Sequence, residues 1–113
     1  MAEQNRAHPR VKVRIAVKVR TTNGAPVNVG QIHNISLGGV FIESDQPVAF
    51  GTDLDVEFAL PSGVIRCKGF VVWSTKTGTP QSKGFPGMGV RLAQIGVQEM
   101  RHLAAFIEDQ LKA

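Results

Sequence analysis

The chain has 113 residues, of which 42% are hydrophobic and 19% charged, with a formal net charge of +4, and these values predict one modest core and one domain over residues 1–113. It lacks any apolar stretch near the roughly 20 residues that cross a bilayer, and its N-terminus lacks the apolar run of a signal peptide, so we expect a cytoplasmic protein without membrane insertion. Its single cysteine, Cys67, excludes an intramolecular disulfide and a multi-cysteine metal site, and we expect this side chain to be buried.

Positive charge is concentrated near the N-terminus. No acidic residue lies between Glu3 and Glu43, whereas six of the 13 Lys and Arg residues lie within fifteen residues there: Arg6, Arg10, Lys12, Arg14, Lys18 and Arg20. This asymmetry favours an anionic partner. The alternative is that Lys12, Lys18 and Arg20 only solvate the outer face of an edge strand and hinder sheet aggregation.

The first half of the chain predicts three strands. Val11–Val19 alternates β-branched and mostly charged residues, the pattern of a half-buried strand. Asn23-Gly24 then favours a turn. Val27–Ile35 is predicted to return as the second strand, the glycines after Ser36 to form a tight bend, and Val40–Glu43 to form a short third strand.

The second half predicts three further strands and a helix. Asp53–Leu60 alternates acidic and apolar residues, Ile65–Trp73 follows a Pro-Ser-Gly turn, and Met88–Leu92 follows a loop, Thr75–Pro86, rich in Gly, Pro, Ser and Thr. Six antiparallel strands in so short a chain should close or nearly close into a barrel, so the expected class is mainly β. We expect flexibility in the first five to eight residues and in the loop Thr75–Pro86.

The C-terminal segment changes period. Its apolar residues recur at spacings of three and four, which predicts an amphipathic helix over 96–112 that covers one end of the barrel. The apolar stripe, predicted to lie in the core, is Val97, Met100, Leu103, Ala104, Ile107 and Leu111.

Two short strings carry the functional prediction. Arg6-Ala7-His8-Pro9-Arg10 is R-x-x-x-R, and Asn34-Ile35-Ser36-Leu37-Gly38-Gly39 is N-x-S-x-x-G. Either alone means little, because the first is common in basic proteins and the second usually marks a turn. Together, in this order and at this spacing, they resemble the paired signature of PilZ domains, small bacterial receptors for the second messenger cyclic di-GMP.

The resemblance implies a six-stranded PilZ-type barrel and an N-terminal arm, residues 1–9, that wraps the dinucleotide. It implies that cyclic di-GMP is bound by Arg6, Arg10, Asn34, Ser36 and Gly39. Arginine suits this role because its planar fork pairs with phosphate, binds guanine O6 and N7, and stacks on purines. The amide and the hydroxyl offer further hydrogen bonds, and Gly39 permits a close approach. A structural role for Gly38 and Gly39 is equally open.

Several additions and alternatives accompany this assignment. Arg10 and Arg14 form a second R-x-x-x-R register, which we consider less favourable because Arg14 lies inside the first strand; the family often has an arginine where this chain has Asn5. Trp73 could stack on a purine or could simply finish a core strand, and Arg91 could add a cation near the ligand. The segment around Trp73 and the later Gly-Met-Gly-Val-Arg-Leu run look like a PilZ subgroup abundant in myxobacteria and related predatory or gliding bacteria.

The expected function is a non-enzymatic cyclic di-GMP receptor that signals to an unidentified protein in motility or polysaccharide export. The alternative is a PilZ-like adaptor that has lost ligand binding, which the intact motifs disfavour. His8, His33 and His102 lack ligand spacing, so we expect no metal, cofactor or catalytic centre. With one Trp, six Phe and no Tyr, a stacking platform for a nucleic acid polymer is also disfavoured.

Overall fold

Six antiparallel strands close into a barrel. The computed structural model describes residues 9–75 and 86–112. Within these ranges the elements are β1 (Val11–Thr21), β2 (Gln31–Ile35), β3 (Gly39–Glu43), β4 (Asp53–Leu60), β5 (Gly63–Thr75), β6 (Gly87–Ala93) and α1 (Val97–Lys112). The strand order around the barrel is β1-β2-β3-β6-β5-β4. The prediction of a mainly β barrel with a C-terminal helix is confirmed, whereas residues 1–8 and 76–85, for which we expected flexibility, lie outside the described ranges.

Buried and exposed residues alternate along the strands, and the buried ones form the core. On β4, Leu54, Val56, Phe58 and Leu60 are all buried, while the residues between them face outward. The same period places Ile65 and Val71 of β5 inside. Burying an aliphatic or aromatic side chain of this size contributes about 1.5–3 kcal/mol before conformational entropy is counted. The barrel interior is therefore filled by side chains, and the outer face is left to carry the function.

Two predictions about the first strands are wrong in detail. Val27–Gly30 precedes β2 rather than belonging to it: Val27 and Val29 pack against the core, but their segment makes isolated bonds, such as Val27 N–H to the Val19 carbonyl at 2.9 Å. Pro26 lacks the N–H that a regular ladder would use. In addition, β1 is not an edge strand, because it pairs with both β2 and β4.

The helix α1 packs against β1, β4 and β5. Leu103 and Ile107 of the predicted stripe are buried, but Val97 and Leu111 are 71% and 53% exposed, so the stripe is shorter than expected. Glu99 fixes the start of the helix: its carboxylate accepts the Gly96 N–H at 3.1 Å and the Arg66 N–H of β5 at 2.9 Å. The first turn of the helix is thus bound both to its own backbone and to the barrel.

Leu103→Ala and Leu111→Ala form a matched pair on this helix. Leu103 is fully buried, so its truncation should lower the free energy of unfolding by about 2–5 kcal/mol through lost burial and a cavity. Leu111→Ala should change it by less than about 0.5 kcal/mol. Urea unfolding followed by circular dichroism measures both, and equal losses would contradict the observed packing of the helix.

Cys67 is buried, as predicted. Burial raises the pKa of its thiol from 9.0 to about 11, and the nearby Glu99 carboxylate acts in the same direction. Because the fold favours the protonated thiol, this contribution to stability is complete below pH 9 and is lost as the pH rises towards 11.

The stability of the wild type should therefore fall more steeply between pH 9 and 11 than that of Cys67→Ala. Only the pH slopes are compared, since the substitution itself also removes buried volume. Urea midpoints across this range give both slopes, and parallel slopes would show that ionisation of the thiol does not oppose folding.

Candidate functional site

Strand pairing brings distant parts of the sequence together on one outer row of the barrel. The paired residues of β1, β2, β3, β6 and β5 are, in order, Lys12, Asn34, Phe41, Gly89 and Trp73. Directly paired residues of antiparallel strands project from the same face. The neighbouring row, which includes Ile35, Val40, Val90 and Val71, points into the core. Asn34 and Trp73 therefore share an outer surface although 39 positions separate them in the sequence.

Arg10 joins the two sequence motifs. Its Nε and Nη2 both donate to Asn34 Oδ1, at 2.8 and 2.5 Å, and its Nη1 lies 3.5 Å from Ser36 Oγ. Arg10 directly precedes β1, and the antiparallel pairing of β1 with β2 brings it opposite the end of β2. The guanidinium, the carboxamide and the hydroxyl thus form one polar cluster. Arg6, the other arginine of the motif, lies outside the described residues.

Ser36 and Gly39 shape the bend between β2 and β3. Ser36 is 3% exposed, and its Oγ accepts the N–H groups of Gly38 and Gly39, both at 3.2 Å. A Cβ on Gly39 would lie 2.8 Å from the Val90 carbonyl oxygen of β6, so glycine allows the two strands to approach. The Gly38 carbonyl accepts the Leu92 N–H at 2.9 Å, which ties the bend to the same strand. Gly39 is therefore required for the close approach of the two strands, whereas the bond of Gly38 is made by its backbone and does not depend on its being glycine.

An aromatic stack covers the middle of the outer row. The rings of Phe41 and Trp73 are 5.4 Å apart at 12°, and His33 contacts Phe41 from the other side at 5.9 Å. Phe41 is only 4% exposed although it points outward. Gly89 makes room for this stack, since a Cβ there would lie 2.2 Å from Trp73 Nε1. Trp73 is half-buried and lies in the same outer row as Asn34, from which β3 and β6 separate it.

Arg91 and Arg14, the remaining predicted cations, lie at different places. Arg91 is exposed on β6 opposite Gly39, and its guanidinium lies 5.4 Å from the centre of the Phe70 ring. The backbone of Arg91 thus lies beside the N-x-S-x-x-G motif, whereas its charged group lies on the β5 side, over Phe70. Arg14 is exposed on β1, and within residues 9–75 and 86–112 it makes no contact with Asn34 or Ser36.

Sequence reasoning missed Phe41, the partner of Trp73, and the hydrogen bond between His33 Nε2 and Glu43 Oε1 at 2.6 Å. One signal was present: β6 has glycine at both outward positions 87 and 89, and such spacing indicates a bulky group on neighbouring strands. Among the described residues, no group of three His, Cys, Asp or Glu side chains could hold a metal ion, and no helix has the length and apolar character to cross a membrane.

Comparisons with known proteins agree on the family and the fold. The family model described as the PilZ domain matches residues 4–109. The PilZ domain of YcgR from Escherichia coli, solved with c-di-GMP, superimposes with a TM-score of 0.74 at 13% identity, over 96% of this chain and 93% of that one. No curated protein matches the sequence.

Two longer proteins also contain this fold. Bacillus subtilis MotI/DgrA, an inhibitor of motility, gives a TM-score of 0.72 at 21% identity, over 96% of this chain and 53% of that one. Klebsiella pneumoniae MrkH, solved as a c-di-GMP complex, gives 0.73 at 19% identity, over 96% and 52%. The chain thus spans about half the length of these two proteins, and at such identities the likeness concerns the fold alone.

Gly89→Ala tests the aromatic stack. The new methyl group would overlap the indole, so the ring should move off Phe41 and become more exposed. Because Trp73 is the one tryptophan of the chain, its fluorescence emission should shift to longer wavelength, while Ser74→Ala, exposed on the same strand, should leave the spectrum unchanged. An unaltered spectrum in a folded Gly89→Ala protein would contradict the packing of the indole over Gly89.

Proposed function

This chain belongs to the PilZ domain family, and we propose that it is a non-enzymatic cyclic di-GMP receptor that passes ligand binding on to a protein partner. The observation that carries the proposal is the cluster formed by Arg10, Asn34 and Ser36. Two motifs that are 24 or more positions apart meet at one point of the outer surface, where a ligand can touch both. The YcgR and MrkH structures with bound c-di-GMP support this choice of ligand.

In the proposed mechanism, Arg10 exchanges partners. Its Nε and Nη2 groups both donate to one oxygen of the neutral Asn34 carboxamide. A phosphate can take two parallel hydrogen bonds from the same fork, and these bonds are stronger than the bond to an amide because the acceptor is charged as well. A guanine edge can also accept two bonds from the fork. Asn34, once released, can pair with a guanine through its own donor and acceptor. Arg6 would close over the ligand from the arm, residues 1–9.

Other surface residues complete the proposed site. The indole of Trp73 would offer a stacking face for a purine, and Arg91, whose backbone pairs with Gly39, would add a cation. Ser36 would contribute by fixing the bend. Its hydroxyl accepts the Gly38 N–H and lies within hydrogen-bond distance of Arg10. The bend therefore presents its backbone and Asn34 in a fixed geometry before the ligand arrives, which reduces the entropic cost of binding.

The signal passed to the partner would be a change in the protein surface rather than a chemical reaction. Ordering of the arm over the barrel would alter the face seen by a partner, for which motility or polysaccharide export is the expected setting. We place the protein in the cytoplasm and, from the late-strand pattern, in the subgroup found in myxobacteria and their relatives. A ligand-independent adaptor is the second candidate; the intact Arg10–Asn34–Ser36 cluster disfavours it.

Isothermal titration with cyclic di-GMP tests the proposal. The wild type should bind selectively over GTP and cyclic GMP. Arg10→Ala should weaken binding roughly tenfold to a hundredfold, because a hydrogen bond to a charged group contributes about 1.5–3 kcal/mol. Arg10→Lys should recover only part of this, since the ammonium lacks the planar fork.

Arg101→Ala is the matched control, because it removes an exposed arginine from α1. Arg14→Ala distinguishes the two possible R-x-x-x-R motifs. If its affinity for cyclic di-GMP is unchanged, the motif is Arg6 with Arg10. If the loss is as large as that of Arg10→Ala, the motif is Arg10 with Arg14. No heat from folded wild-type protein would contradict the receptor and leave the ligand-independent adaptor.

A further inference from the structure

A second charged surface lies on the outer face of β1, β4 and β5. Two rows of three side chains cross these strands, and in each row a carboxylate of β4 lies between a cation of β1 and a cation of β5. The rows are Lys18–Glu57–Arg66 and Arg20–Asp55–Lys68. Lys18 lies six residues along β1 from Lys12, roughly 20 Å at the rise of an extended strand. The surface is therefore separate from the Arg10–Asn34–Ser36 cluster.

The two rows line a groove with a volume of about 480 Å³, to which Gln94 also contributes. In the described part of the chain, Gln94 is the one non-glycine residue with a positive φ, at 50°. Side chains other than glycine adopt this conformation rarely, and such outliers concentrate where a chain serves a function. The unusual backbone conformation of Gln94 and the two rows of charged side chains thus occur at the same groove.

The charges of the groove are not balanced. The two cations of β5 are paired: Lys68 Nζ lies 2.5 Å from Asp55 Oδ1, and Arg66 Nε lies 3.3 Å from Glu57 Oε1. Lys18 and Arg20 form no ion pair within the described ranges, and the latter donates to the Gly24 carbonyl at 3.4 Å. With four cations and two carboxylates, the groove has a formal charge of +2, and the excess lies on β1.

The order of the charges in each row indicates which kind of molecule can bind in the groove. A nucleic acid would bring phosphates against Asp55 and Glu57 as well as against the cations, so repulsion opposes it. A protein segment with both signs can satisfy all three positions of a row. We propose that this groove docks a protein partner through a segment in which acidic side chains flank a basic one. If the chain is the receptor proposed above, the groove is where its output partner binds; the docking chemistry itself does not require the dinucleotide.

The test uses a fluorescent peptide in which glutamates flank each lysine, titrated at low ionic strength, where surface charges are least screened. Fluorescence anisotropy should show saturable binding, and amide shifts in ¹H–¹⁵N spectra should map to β1, β4 and β5. Lys18→Ala/Arg20→Ala should weaken binding by roughly fivefold or more. The matched control Arg101→Ala/Lys112→Ala removes the same charge from α1 and should bind as the wild type does.

A second pair of substitutions tests the charge order. Asp55→Asn/Glu57→Gln should weaken binding of the mixed peptide and strengthen binding of an all-glutamate peptide, because the central negative charges are gone. Circular dichroism confirms that each variant is folded. Absent binding, equal binding by Lys18→Ala/Arg20→Ala and the wild type, or tighter binding of a single-stranded oligonucleotide would each overturn the proposal.

Cyclic di-GMP titrated into the same variants separates the two proposals. Loss of peptide binding with unchanged dinucleotide affinity supports a docking groove that is distinct from the ligand site. If no variant and no wild-type protein binds the dinucleotide, the receptor proposal fails, while the peptide titrations still decide whether the groove docks a mixed-charge segment. Loss of dinucleotide affinity in Lys18→Ala/Arg20→Ala equal to the loss of peptide affinity would overturn the separation of the two surfaces.

Discussion

Closure of the barrel is the constraint on which the other features depend. Each of the six strands pairs on both sides, so closure removes free strand edges. Away from the register shifts in the pairings of β1 with β2, β2 with β3 and β5 with β6, every second residue of a strand then points into the core. The remaining residues form outer rows that cross several strands. Asn34 and Trp73 share such a row only because β3 and β6 lie between them in register.

Glycine on the outer rows is a consequence of the same constraint. Gly39 lets the bend after β2 approach the β6 backbone, and Gly89 leaves the space that the indole of Trp73 fills. A side chain at either position would push apart groups that the barrel holds at a fixed strand spacing. Phe41 becomes buried although it faces outward, so β3 is covered on both sides. The outer surface around Phe41 is thus closely packed.

Much of the fold could be predicted because most strands have one buried and one exposed face, which produces alternation in the sequence. The prediction that Val27–Gly30 belongs to the second strand was wrong. Its two valines pack against the core, as they would in a strand, but the backbone next to Pro26 does not form regular ladder hydrogen bonds. In the site, the two motifs could be identified from resemblance to a family. The contact between Phe41 and Trp73 could not, because it depends on the register of three strands; the glycines at positions 87 and 89 indicate space for a bulky group but not which rings fill it. The role of Arg6 stays a prediction.

The choice of asparagine at position 34 has a physical consequence for the proposed receptor. An aspartate would hold Arg10 through a charged pair, and a ligand phosphate would have to compete with a fixed carboxylate for the same fork. The carboxamide accepts two hydrogen bonds from Arg10 and so orients the guanidinium without placing a second charge in the pair. A neutral partner therefore combines preorganisation with a fork that a phosphate can take over.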